Sequence, residues 1–212
     1  MSAARYMVGG LLLLVFLILP GEVSAADITI PRAAYAHQAL LTRSAHAFWG
    51  LDAPVATFAA QVHQESRWRE RAVSHAGAQG IAQFMPGTAR WIAGAYSHLS
   101  DKDPFNPGWG LRALVTYDRF LWDRVTAVNT CHRMAKTLSA YNGGLGWVQK
   151  DEALARRRGL DAAYWFDGVE TVNAGRRASA KKENTGYPRR ILLELEPIYI
   201  DAGFGGGMWC HE

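Results

Sequence analysis

The chain has 212 residues, of which 49% are hydrophobic and 20% charged, with a formal net charge of +4. That is enough apolar material to bury a full core in one domain, which excludes a disordered, collagen-like or disulfide-only scaffold. The positive balance is modest and sits in short clusters, Arg156-Arg157-Arg158, Arg176-Arg177 and Lys181-Lys182. Each reads most simply as a solvated face, and no motif accompanies them that would mark a nucleic-acid reader.

The N-terminus reads as a secretory signal peptide over residues 1–25. Arg5 precedes an uninterrupted apolar run from Met7 to Leu19, Pro20-Gly21 breaks it, and Val23-Ser24-Ala25 offers small residues for cleavage. The run is too short to span a bilayer comfortably, so contact with a membrane is expected only if this segment stays uncleaved. Export to the periplasm is the expectation, and in an oxidising compartment two cysteines, Cys131 and Cys210, are a disulfide candidate. His132 and His211 follow them, but neither pair has zinc-finger or ribbon spacing.

After Pro31 a first helix is expected over 32–48, closed by Gly50, as an N-terminal cover within residues 26–50. The second is the element around which the chain is organised. Val55, Phe58, Ala59 and Val62 fall at i, i+3, i+4 and i+7 on one helical face, and Glu65 and Ser66 come next on it. A carboxyl group carried inward on the last turn of a buried helix loses solvation and meets the negative end of the dipole, and both effects favour the protonated form. Then comes SHAGAQGIAQFMPGT at 74–88, where Gly77 and Gly80 permit close backbone approach and Pro86 opens a short third helix. A polar loop near 97–106 precedes Asn106-Pro107, which caps and starts a helix through Leu114, Tyr117 and Leu121. A helix over 129–140 ends at the glycine-rich Tyr141-Asn-Gly-Gly-Leu-Gly-Trp147, and another is expected over 148–158. Residues 159–180 read as loop with short helical pieces. A last helix is expected from about Pro188 to Leu195, with Pro197 ending or bending it, and then a glycine-rich tail over 201–212. No strand alternation or repeat is present, so the class is mainly α.

Four blocks in order, Glu65-Ser66, Ser74, GAQGIAQFMPGTA at 77–89 and LSAYNGGLGWV at 138–148, resemble the soluble lytic transglycosylase (SLT) domain, a lysozyme-like, goose-type fold with a substrate groove. The resemblance implies a catalytic domain over residues 51–200. It also implies a peptidoglycan lytic transglycosylase, a carbon–oxygen lyase acting on a polysaccharide, which works without a cofactor. In that family one glutamate protonates the bond between N-acetylmuramic acid and N-acetylglucosamine. It then takes the proton of the muramic C6 hydroxyl, and a 1,6-anhydro sugar results. Carried over, Glu65 is the acid and base, Ser74, Gln83 and Met85 line the sugar groove, and Tyr141 stands near the carboxylate. Asn142 is a groove-wall or backbone ligand, and Ser66 braces the helix end. Glu183, in ENTGYP, resembles the glutamate of a late E-T-x-x-Y element. Asn184 replaces its threonine and Pro188 follows its tyrosine, which leaves the role of Glu183 open.

Each of these residues also has an ordinary reading. Gln83 and Ser74 serve as backbone caps, Met85 as core filler and Tyr141 as a buried aromatic with a satisfied hydroxyl. Two rivals to the transglycosylase expectation remain. One is a hydrolytic muramidase using Asp101, Asp103 or Glu183 as second carboxylate, and the other is a non-catalytic peptidoglycan-binding scaffold. The compact size resembles small transglycosylases that open gaps for envelope-spanning conjugation, secretion or phage machineries. The expected partner is therefore the peptidoglycan glycan strand, with no nucleic acid.

Overall fold

The computed structural model describes residues 28–210, so the expected signal segment lies outside the described residues. Among those described, eight α-helices carry the fold, with only isolated β-bridges at Val73–Gln79 and Gln79–Phe84. They are α1 Arg32–Trp49, α2 Val55–Ser66, α3 Pro86–Ala95, α4 Pro107–Trp122, α5 Thr130–Gly143, α6 Leu145–Arg157, α7 Ala178–Arg189 and α8 Glu196–Asp201. A π-helical segment, Arg190–Leu195, joins the last two.

The boundaries follow local chemistry. Gly50, at φ 83°, closes α1. The Asn106 side chain accepts hydrogen bonds from the backbone N–H groups of Gly108 and Trp109 at the start of α4, where Pro107 has no N–H to satisfy. Asn129 caps α5 in the same way through the His132 N–H. α5 carries Tyr141 and Asn142 within its last turn, and Gly144, at φ 97°, is the whole break before α6 begins at Leu145.

Helix α2 is the axis of the molecule. It packs against α1, the π segment and α8, and of its 12 residues only Gln64 and Glu65 are not buried. The sequence shows one apolar stripe, whereas the structure covers nearly every face. Ala56, Ala59 and Ala60 let neighbouring backbones approach, and the polar Thr57 and His63 find partners in Glu196 and the Tyr199 hydroxyl.

The last helices depart from expectation. α7 begins at Ala178, ten residues before Pro188, and Pro188 lies inside it. Pro197 does not end the helical path but falls in the first turn of α8, which continues to Asp201. A proline removes one backbone donor and crowds the preceding turn. Here the path widens into the π segment between the two prolines, so the chain bends without stopping.

The tail is anchored rather than loose. The Ala56 N–H donates to Gly206 O at 3.0 Å, Gln38 donates to Gly203 O, and the Met208 and Trp209 N–H groups donate to Glu196. Cys210 forms a disulfide with Cys131 on α5, with Cα atoms 5.3 Å apart. His132, the neighbour that raised a metal reading, accepts the backbone N–H groups of Trp165 and Phe166 through Nδ1.

Candidate active site

Glu65 reaches the surface through the one window left in α2. The helix stops immediately after it, because Arg67 and Trp68 both adopt left-handed backbone at φ 52° and 64°. Trp68 is driven into the core, where its indole N–H donates to the Tyr199 hydroxyl at 2.7 Å. A buried anchor immediately past the helix end fixes where the last turn points.

The glycine-rich loop is tied to this turn. Gly80 has φ 76°, and a Cβ there would lie 1.6 Å from the Pro104 carbonyl oxygen, so only glycine fits. Two side chains grip the loop's carbonyls. The Ser66 hydroxyl donates to Ile81 O at 2.7 Å and the Tyr141 hydroxyl donates to Ala82 O at 2.7 Å. The acid helix and the second glycine-rich block therefore hold adjacent peptides of the same loop.

A cleft of about 740 Å³ opens over Glu65, within the range of sites that take small molecules or short oligomers. Of the residues carried over from the family pattern, Glu65, Ser74, Gln83, Met85, Tyr141, Asn142 and Glu183 line it, while Ser66 is buried beneath the loop it holds. Tyr117, Lys182 and Tyr187 are also among its wall residues. A shallower depression continues past Thr88 and Tyr117 over Trp91 and Phe120.

The ordinary structural roles are present as well. Ser74 Oγ accepts the Ala78 N–H at 3.0 Å. Gln83, itself at φ 50°, donates through Nε2 to Gly80 O and Ala72 O. These residues line the cleft and hold the loop at the same time. Met85 is exposed at the cleft edge rather than packed as filler. Asn142 donates to Glu183 Oε1 at 3.2 Å and accepts from Asn184, which also takes a hydrogen bond from the buried Arg176. Asn184 packs so tightly on α5 that a Cβ on Gly143 would lie 2.4 Å from its Oδ1.

Burial is the main reason the Glu65 carboxyl holds its proton, with a pKa raised from 4.5 to about 8. A hydrogen bond from Tyr187 opposes the rise and the charge of Glu183 adds to it. The Tyr187 hydroxyl donates to Glu65 Oε1 at 2.5 Å. Sequence reasoning assigned Tyr187 no role, although it is the tyrosine of the altered ENTGYP block. Of the other carboxylates weighed, Asp101 pairs with Arg112 in the open and Asp103 accepts the Phe105 N–H, and neither lines the cleft. Asp118 lies fully buried in the core behind Glu65.

The family model of the transglycosylase SLT domain matches residues 45–163. The chain belongs to the transglycosylase SLT domain family. Its relatives include proteins named membrane-bound lytic murein transglycosylase F. That of Hahella chejuensis is 30% identical over 50% of this chain and 19% of its own length. That of Thiobacillus denitrificans is 29% identical over 68% of this chain and 33% of its own. The chain thus spans about a fifth to a third of the curated relatives it matches. Among solved structures, the fold is similar to that of the 70 kDa soluble lytic transglycosylase of Escherichia coli. The TM-score is 0.54 at 22% identity, covering 81% of this chain and 25% of that one. It is likewise similar to the lytic transglycosylase Slt of Pseudomonas aeruginosa, solved as an inactive glutamate-to-glutamine mutant. There the TM-score is 0.56 at 23% identity, covering 86% and 26%. The SLT match ends at residue 163, so Glu183 and Tyr187, on α7, come from the part of the chain that follows it.

Proposed function

We propose that this SLT domain is a peptidoglycan lytic transglycosylase of the cell envelope. It cleaves the β-1,4 bond between N-acetylmuramic acid and N-acetylglucosamine without consuming water. The observation that carries the reading is a single neutral carboxyl group, Glu65, held by Tyr187 in a cleft of sugar size. The names of the curated relatives point to the same chemistry.

In the proposed reaction Glu65 donates its proton to the glycosidic oxygen as the C1–O bond breaks. Positive charge builds at the muramic C1, and the C6 hydroxyl of the same ring attacks it. The hydroxyl proton passes to Glu65, which is thereby restored, and the product carries a 1,6-anhydro bridge. The nucleophile is already tethered to the reacting centre, so the step avoids the entropy of capturing a second molecule. A pKa near 8 suits a group that must give and then retake a proton close to neutrality. With Tyr187 on Oε1, the other carboxyl oxygen is left to face the sugar.

One observation favours a hydrolytic alternative, since Glu183 also lines the cleft. Its Oε1 accepts from Asn142, which marks it as a wall group rather than a base for water. Digestion of purified sacculi followed by mass analysis separates the two. Anhydro ends, one water lighter than reducing ends, are expected from wild type and none from Glu65→Gln. Reducing ends alone would overturn the proposal in favour of hydrolysis. Cleavage that survives Glu65→Gln would remove Glu65 from the chemistry.

A further inference from the structure

Two buried acceptors in the core behind Glu65 have no partner, Gln61 Oε1 and Asp118 Oδ2. Both residues are completely buried, and the other halves of their planar groups already meet, with Gln61 Nε2 donating to Asp118 Oδ1 at 3.4 Å. An amide oxygen and a carboxylate oxygen are both acceptors and cannot satisfy each other. Turning the amide over does not help, because Oε1 would then face Oδ1. A proton on Oδ2 resolves both orphans at once, since it converts that oxygen into a donor for Oε1 and closes a ring of two hydrogen bonds. Buried polar atoms left unpaired are expensive, so the fold favours the state that pairs them.

We propose that Asp118 is a neutral carboxylic acid and a positioning residue. It closes an acid–amide ring with Gln61, one helical turn before Glu65 on α2, and clamps α2 to α4 without setting a second negative charge behind the cleft. The positioning role rests on the reading of Glu65 as the catalytic acid. The protonation state of Asp118 does not.

The surroundings agree. Burial holds the Asp118 proton well above the usual carboxylate range, the Gln61 hydrogen bond works against this, and the charge of Glu65 adds to it. The other titratable groups that feel Asp118 are the phenols Tyr117 on its own helix, Tyr141 on α5 and Tyr187 on α7, all held neutral by burial. An ionised Asp118 in such a shell would push the Glu65 pKa higher still and make Glu65 a poorer donor in the step that protonates the glycosidic oxygen. A neutral one fixes the helix and leaves that balance to Tyr187 and Glu183.

The test uses the full chain with 13C-carboxyl-labelled aspartate, the Asp118 resonance being assigned by its loss in Asp118→Asn. The expected resonance is that of a protonated acid, unmoved from about pH 4 to 8, whereas titration in the ordinary aspartate range near 4 overturns the proposal. This readout stands whether or not sacculi are cleaved, so it fails separately from the enzymatic reading. Kinetics then test the positioning. Asn at 118 can make the same two hydrogen bonds, and Asp118→Asn should leave the basic limb of the kcat profile within about 0.3 pH unit of wild type. Asp118→Leu strands the Gln61 amide, and it should lower the melting temperature by about 5 °C and kcat about tenfold with little change in KM. The double variant Gln61→Leu, Asp118→Leu should recover the melting temperature. A downward move of the basic limb by a full unit in Asp118→Asn would mean that wild-type Asp118 is charged, and would overturn the proposal.

Discussion

Glu65 holds a carboxyl group that the fold tolerates best when it is protonated. Its pKa is raised in the folded state, from 4.5 to about 8, so its contribution to stability is complete below about pH 4.5 and is lost as pH rises through 8. Glu65→Gln removes that loss. Thermal melts across a pH series should show the variant gaining on wild type between pH 5 and 8.5, and a constant gap would contradict burial of an ionisable group. The same shift places the basic limb of activity near pH 8. Tyr187→Phe removes the donor that favours the charged form, so the limb should move up while kcat falls roughly 10- to 100-fold, the scale of one hydrogen bond to a charged group. Glu65 was legible in the sequence because an apolar helical stripe ran directly into it. Tyr187 was not, because Asn184 breaks the E-T-x-x-Y pattern and draws attention to Glu183. In the structure Asn184 instead holds Asn142 and Arg176, and the adjoining tyrosine touches the acid.

At the scale of elements, the site is two glycine-rich turns pulled together by side chains from helices. Gly80→Ala should be strongly destabilising, by about 3 kcal/mol or more in denaturant unfolding, because its Cβ would overlap the Pro104 carbonyl in a left-handed backbone. Gly143→Ala should act more locally. It displaces Asn184 and with it the contact between α5 and α7, so a loss of activity larger than the loss of stability is the expected result of parallel kinetic and thermal assays. Elements with chemical punctuation were readable from sequence. Gly50, Pro86, Asn106-Pro107 and Asn129 mark helix ends where the structure has them. The α7–π–α8 path was not readable, since Pro188 and Pro197 look like breakers in a single sequence. Only packing against α2 and α5 shows that the helical path survives them. Burial of α2 on nearly all faces was hidden for a related reason, because alanines and partnered polar residues carry little hydrophobic signal.

For the whole molecule, the Cys131–Cys210 bridge closes a loop with a sequence separation of 79. In the chain-entropy account such a closure stabilises by about 4 kcal/mol, so reduction or Cys131→Ser should shift the denaturant midpoint downward by a corresponding amount. The pairing of two cysteines was readable from their number. The anchoring of the tail between them was not, because it depends on the backbone of α2 and on Glu196, which its apparently loose glycines give no hint of.

The damping phenol on Glu65 is supplied by α7, downstream of the stretch that defines the family. A fragment cut at residue 163 would still display the signature motifs while leaving its acid untuned and one wall of the groove missing. The site is in this sense assembled last, since the closing quarter of the polypeptide must dock before the Glu65 carboxyl group meets its hydrogen-bond partner. Inheritance of the recognisable module alone would not transmit that contact.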